Sequence, residues 1–285
     1  MSTASNVDKK NIEDFFNHSL KTSDPDIYAE RKELGRLVIP QVLQEVNYDL
    51  KNTVFSYIPN TAETAFLGMI EGLEDYLAKE RKKAIMGGGL AEETLEELLT
   101  FRPRVEKLIS KDVKLRTFIT NDADRNDMVS HVYDTTYEVI KKGIDNVVLI
   151  DDSIVRGTTL ERSILKLLDK LGPKKIVIVS SAPQIRYPDC YGIDMSKMGQ
   201  FVAFDAAIQL LKERKMEHII EDVYQKCKAS LLLPKEEIVN YVKEIYKPFK
   251  QQEISDKIAE IITPKGTVAE VEVIYQTLDN LHIAC

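Results

Sequence analysis

Asp151 and Asp152 are adjacent carboxylates. They end the apolar run Val147-Val148-Leu149-Ile150 and precede Ser153-Ile154-Val155-Arg156-Gly157-Thr158-Thr159. The run reads as a buried parallel strand. The loop leads into an apolar-periodic segment over residues 160–171, which predicts a helix. The order is therefore strand, acidic pair, small-residue loop, helix. Free backbone N–H groups of such a loop and the dipole of its helix converge on one point and make an anion site. A pair of carboxylates beside that point repels a second phosphate but accepts hydrogen bonds from sugar hydroxyls. A phosphate next to a diol fits, which is a ribose 5-phosphate. An acidic helix cap would need one carboxylate, not two followed by Ser-x-x-Arg-Gly-Thr-Thr. A nucleotide P-loop needs Gly-x-x-x-x-Gly-Lys-Ser/Thr, and that string does not occur.

Strands alternate with helices along the chain. Strands are predicted over residues 53–58, 113–119, 147–150 and 176–180. Helices are predicted from Pro25 with Asp24 as N-cap and a kink at Pro40, then over 63–83, 92–110 as a charged hairpin turning near Pro103, and 128–141. Further helices are expected over 205–215, 219–228, 234–249, 254–262 and 268–281. Residues 1–23 are polar, with a short turn near 12–16. This alternation predicts an α/β fold, a doubly wound, mostly parallel sheet with helices on both faces and extra C-terminal helices. In such sheets ligands sit beyond the carboxyl ends of strands. Every candidate motif falls there, after Ile58, Ile119, Ile150 and Ser181.

A chain of 285 residues is long enough for one large domain or two small ones. Its net charge of −7, with both signs mixed, excludes the clustered basic surface that nucleic acid requires. No stretch reaches the roughly 18 apolar residues of a membrane span, and residues 1–11 lack the apolar run of a signal peptide. Three scattered cysteines, Cys190, Cys227 and Cys285, point to free thiols and a cytoplasmic setting. His18, His131, His218 and His282 show no metal spacing.

Together these motifs resemble the type I phosphoribosyltransferases, which use phosphoribosyl pyrophosphate (PRPP). The run Ser180-Ser181-Ala182-Pro183-Gln184-Ile185-Arg186-Tyr187-Pro188 and the following Tyr191-Gly192-Ile193-Asp194-Met195 narrow the resemblance to the amidophosphoribosyltransferases. Three shorter segments agree: Tyr28-Ala29-Glu30-Arg31-Lys32-Glu33-Leu34-Gly35, Ile58-Pro59 and Arg116-Thr117-Phe118-Ile119. The similarity runs over about residues 24–224 and covers the transferase half of that family. It implies a flexible segment over 1–23, a phosphoribosyltransferase domain over 24–230 and a C-terminal helical extension over 231–285.

The resemblance implies an enzyme of the first step of purine synthesis, a pentosyltransferase that moves the phosphoribosyl group of PRPP to ammonia. Asp151 and Asp152 are then catalytic, opposing the positive charge that develops at the anomeric carbon as pyrophosphate leaves. They also meet Mg²⁺ indirectly, through the ribose hydroxyls. Ser153, Val155, Arg156, Gly157, Thr158 and Thr159 hold the 5-phosphate. Asn60, Thr61, Ala62 and Glu63 form the pyrophosphate turn, which in the family often has an unusual peptide geometry; an ordinary helix cap by Asn60 or Thr61 is the alternative. Lys111 sits a residue away from the family's pyrophosphate lysine. Arg125 either touches pyrophosphate or is a solvated loop charge, and Arg116 flanks the same loop. Residues 183–188 either pack under the ribose or line the ammonia entry, or else form a rigid turn. Mg²⁺ is the expected cofactor, and no iron–sulfur cluster is expected from three scattered cysteines. The expected partners are PRPP and ammonia from a glutaminase domain outside this chain, in a homo-oligomer, with neither nucleic acid nor membrane. No cysteine precedes Cys190, where the family's glutaminase half begins with a catalytic one; the chain therefore looks like an excised transferase half or a stand-alone relative. A PRPP-binding regulatory module without turnover is the alternative function.

Overall fold

A computed structural model describes residues 25–111, 133–136, 138–188 and 197–285. Its centre is a five-stranded, all-parallel sheet. The strands are β1 (Thr53–Tyr57), β2 (Arg104–Val105), β5 (Asn146–Asp151), β6 (Lys175–Ser180) and β7 (Glu270–Tyr275), in the spatial order β2-β1-β5-β6-β7. A separate antiparallel pair joins β3 (Ile109–Lys111) to β4 (Tyr133–Thr135). The middle strand β5 is apolar on both sides, as a strand covered on both faces must be. Val147 and Leu149 face one core, and Val148 and Ile150 face the other.

Two helical layers cover the sheet. On one face lie α1 (Pro25–Leu37), α2 (Ile39–Glu45) and α3 (Glu63–Gly87). Val38 separates α1 from α2, and Pro40 stands in the first turn of α2. α1 and α3 approach backbone to backbone. A Cβ at Gly35 would lie 1.7 Å from the Ala65 carbonyl oxygen, and one at Gly68 would lie 1.7 Å from that of Lys32. Only glycine fits either position. On the other face pack α5 (Leu165–Lys170), α6 (Val202–Glu213) and α9 (Gln251–Ile262), through Leu168, Ala206, Leu211 and Ile258 among others. The remaining helices are α4 (Glu92–Thr100), α7 (His218–Ser230), α8 (Lys243–Tyr246) and α10 (Leu278–Ala284). No helix among the described residues is long and apolar enough to cross a membrane.

The doubly wound parallel sheet is the fold expected, but four local expectations need correction. Residues 268–281 are not helical throughout, because Glu270–Tyr275 form β7 at the sheet's edge. The apolar positions Val271, Val273 and Tyr275 recur with period two, which outweighs the helix-favouring Glu270 and Glu272. Residues 231–285 therefore contribute a sheet strand as well as helices. The predicted hairpin over 92–110 is helical only to Thr100. Past Pro103 the chain turns extended, and Glu106 N–H bonds the Phe55 carbonyl at 3.0 Å. The described part of 128–141 is strand and turn, since residues 133–135 pair with 109–111. Residues 234–249 hold only a short 3₁₀ turn and the four-residue α8. The predicted strand over 113–119 and the turn near 12–16 lie outside the described residues.

Candidate active site

The strand order reverses between β1 and β5. The chain runs from β1 to β2 on one side, then places β5, β6 and β7 successively on the other. At such a switch point the loops leaving two adjacent strands diverge and open a crevice. The two loops here are residues 58–62 after β1 and residues 152–157 after β5. Thus the Asn60 turn and the Asp151-Asp152 loop, ninety residues apart in sequence, become neighbours. Ile58 N–H bonds the Ile150 carbonyl at 2.9 Å and fixes that adjacency.

Asp151 is the last residue of β5. Its Oδ1 accepts the Asp152 N–H at 2.9 Å, and Asp152 Oδ1 accepts the Ser153 N–H at 2.7 Å. The loop is locked from the next strand as well. Ser181 N–H bonds the Asp151 carbonyl at 2.9 Å, and Ser181 Oγ donates to the Asp152 carbonyl at 3.1 Å. Burial, reinforced by the charge of Asp152, pushes the Asp151 carboxyl well above the usual carboxylate range. Neither carboxylate forms an ion pair among the described residues.

Beyond the acids, Ile154 is buried and anchors the loop, while Arg156, Thr158 and Thr159 are exposed. Val155 accepts a hydrogen bond from Val202 N–H at 2.9 Å, which ties the loop to the start of α6. Gly157 has φ of 71°, in the left-handed region. A Cβ there would also stand 2.6 Å from Ile262 Cγ2 on α9. Glycine is required twice at this position, by conformation and by packing. The helix opens at Thr158, and its first turns widen into a π-helical segment, Leu160–Ile164, before α5. Thr158 and Thr159 are exposed at that first turn, where a helix start offers the N–H groups an anion cradle uses.

In the turn after β1, the Pro59–Asn60 peptide bond is cis. Asn60 and Thr61 are exposed, and neither caps α3. The cap position is Ala62, with no side-chain hydrogen bond. The ordinary-cap reading of these residues therefore fails. Glu63 begins α3, with Tyr57 Oη 3.4 Å from its Oε1. Lys111 ends β3 and is exposed. Arg116, Arg125, His18, His131, Cys190 and residues 191–195 lie outside the described residues.

The 183–188 loop is pinned from the C-terminal part of the chain. Gln184 Nε2 donates to the Gln251 carbonyl and to Ser255 Oγ, both at 2.9 Å. Gln184 Oε1 accepts Arg186 Nη2 at 2.7 Å and Nε at 3.1 Å. The Arg186 guanidinium lies over the Tyr246 ring, 5.1 Å from its centroid, and Tyr246 Oη donates to the Arg186 carbonyl at 2.8 Å. These contacts describe a rigid turn. One residue at this edge escaped sequence reasoning. Tyr275, which ends β7, is in register with Ser180 and so stands two strands from Asp151. The period-two pattern of residues 271–275 was the signal for it.

An acidic pair and a glycine-containing loop thus stand at the switch point of a parallel α/β sheet. In sequence the chain is a relative of the amidophosphoribosyltransferases. It is 28% identical to that of Haemophilus influenzae over 202 residues, 67% of this chain and 39% of the relative. It is 25% identical to that of Saccharomyces cerevisiae over 282 residues, 86% of this chain and 54% of the relative. A shorter match to that of Pasteurella multocida reaches 52% over 59 residues, 21% of this chain and 12% of the relative. The chain thus spans about half or less of the curated relatives it matches, as expected for a similarity to one half of that family. The solved glutamine PRPP amidotransferase of B. subtilis, complexed with ADP and GMP, superposes with a TM-score of 0.47 at 20% identity, covering 92% of this chain and 40% of that one. No protein-family model matches the chain.

Proposed function

We propose that this chain transfers the phosphoribosyl group of PRPP to ammonia, giving 5-phosphoribosylamine and pyrophosphate. The observation that carries this reading is the Asp151-Asp152 pair and its loop at the end of the middle strand, beside the Asn60 turn across the switch point. The 5-phosphate sits in the loop formed by Ser153, Val155, Arg156, Gly157, Thr158 and Thr159. Asp151 and Asp152 accept the ribose 2- and 3-hydroxyls. The pyrophosphate lies toward Asn60, Thr61, Ala62 and Glu63, with Lys111 and Arg125 as further contacts.

In the reaction the bond from the anomeric carbon to the pyrophosphate oxygen breaks, and that oxygen keeps the electron pair. The ammonia nitrogen forms the new bond and then loses a proton. Positive charge on the sugar ring peaks between these events, and two fixed carboxylates oppose it. Neutral ammonia is already a nucleophile, so no general base is assigned. No group of three or more His, Cys, Asp or Glu side chains among the described residues forms a metal cage. The donor set fits a magnesium ion held mainly by its substrate, with Asp151 and Asp152 reaching it through the ribose hydroxyls. When bound, Mg²⁺ neutralises the leaving pyrophosphate.

The test compares PRPP-dependent pyrophosphate release with ammonia, glutamine and free bases, beside the melting temperature with each ligand. Ammonia should support release. PRPP with Mg²⁺ at 100 times its Kd should add about 2.7 kcal/mol of stability. Ribose 5-phosphate should stabilise less, and free ribose not at all. Equal behaviour of all three ligands would sink the cradle assignment. Protection by PRPP without any release would instead identify a regulatory binding module.

A further inference from the structure

Tyr275 is 3% exposed, yet its hydroxyl has no hydrogen-bond partner among the described residues. Phenylalanine would fill the same space without burying a polar atom, so the hydroxyl needs a reason. The sheet register supplies one. Asp151 pairs with Ser180, and Ser180 pairs with Tyr275. Residues in register on neighbouring strands project to the same face, and two strand spacings separate their backbones by about 10 Å. The packing agrees, because Leu149, Ile178 and Val273, each two residues before these positions, lie in one apolar cluster that includes Tyr275. The small Ser180 stands between them in register, and its hydroxyl is committed to the Ala182 carbonyl at 2.8 Å. Asp151 Oδ1 receives the Asp152 N–H, and a carboxylate can accept further hydrogen bonds on its oxygens.

We propose that Tyr275 is a positioning residue for Asp151, its hydroxyl donating to that carboxylate across one water and holding it oriented toward the sugar. The electrostatics agree: after burial, the charge of Asp151 is what raises the phenol's pKa. Other tyrosines are not candidates. Tyr57 packs in the cluster on the opposite face and lies against Glu63, and the Tyr246 hydroxyl is committed to Arg186. The catalytic consequence rests on the function proposed above, whereas the contact itself does not.

The contact is tested without substrate, on the full chain labelled at tyrosine. A buried, hydrogen-bonded phenol proton exchanges slowly and gives its own proton resonance; Tyr275→Phe assigns it by deletion. Asp151→Asn should move that resonance upfield or speed its exchange. A resonance unchanged in Asp151→Asn, or no protected phenol proton at all, overturns the proposal. The second reading is kinetic. Tyr275→Phe should lower kcat/KM for PRPP by about tenfold, the scale of one hydrogen bond to a charged group, and should cost nothing further in the Asp151→Asn background. Equal losses in both backgrounds would mean a structural role and would also overturn it. A phenol proton sensitive to Asp151 in a chain that neither binds nor turns over PRPP would leave the contact standing and sink the functional reading instead.

Discussion

The two ends of β5 carry aspartates with opposite fates. Asp145 precedes the strand and is fully buried. Its Oδ2 lies 2.7 Å from Arg104 Nη1 and accepts the Lys141 N–H at 2.7 Å. Its backbone joins the same knot, with Lys174 N–H on its carbonyl at 2.8 Å. Asp151 ends the strand with no cation beside it among the described residues, and the neighbouring Asp152 adds to the cost of its charge. One carboxylate, at the amino edge, closes the structure. The other, at the carboxyl edge, has one oxygen held by the Asp152 N–H and, among the described residues, no ion pair. A strand six residues long thus separates a residue spent on stability from one reserved for a ligand.

Breaking the amino-edge knot should have the largest effect. Arg104→Met keeps the aliphatic bulk but leaves Asp145 buried without its counter-charge. Loss of one partner of such a pair costs about 3–5 kcal/mol. The midpoint of urea denaturation reports it, and a shift no greater than that of an exposed pair such as Lys226–Glu244 would contradict the account. The exposed pair, screened by water, should contribute far less than the Arg104–Asp145 pair.

The carboxyl edge can be strained without touching a carboxylate. Gly157→Ala forces an L side chain to φ of 71° and drives its Cβ against Ile262. The left-handed conformation costs about 1–2 kcal/mol and overpacking about 1–3 kcal/mol. Ile262→Val shortens a neighbouring side chain, so the double variant should recover part of the packing loss but none of the conformational one. Full recovery would show that φ is not the constraint. No recovery would show that Ile262 is not the obstacle.

The difference between the two edges was only half legible in the sequence. The Asp151-Asp152 loop announces itself because strand, acids, glycine and helix are contiguous, and each step has a local physical cause. Asp145 does not, because its partner Arg104 is forty-one positions away and reads as one more surface charge in a charged segment. Tyr275 was missed for a related reason. Glu270 and Glu272 alternate with its apolar neighbours, and those glutamates suit a helix as well as an edge strand. The rigid hold on residues 183–188 depends on Gln251, Ser255 and Tyr246, which no spacing rule links to that loop. Motifs made within one turn of chain can be read directly, whereas pairs brought together by the sheet cannot.

The smallest effect is also the one that separates the two aspartates most sharply, and it depends on pH. Burial first, and the Asp152 charge second, raise the folded-state pKa of Asp151. The folded chain therefore binds that proton more tightly than the unfolded chain does. The stability this contributes is fully present below the ordinary aspartate value of about 4, and is lost as pH rises through the raised folded value. At neutral pH that stabilisation has fallen away and burying the carboxyl is a cost. Asp151→Asn should then raise the melting temperature at neutral pH, with the gain shrinking to nothing as the medium is acidified. Asp152→Asn should give a gain of the same sign, because it removes the neighbouring charge. Asp145→Asn should lower stability instead, since it discards half of the Arg104 pair. Activity should move the other way, with kcat falling more than PRPP binding weakens when Asp151 or Asp152 becomes Asn. An Asp151→Asn chain that melts lower than the parent at neutral pH would show that this carboxylate is structural after all, and the two ends of β5 would then differ only in location.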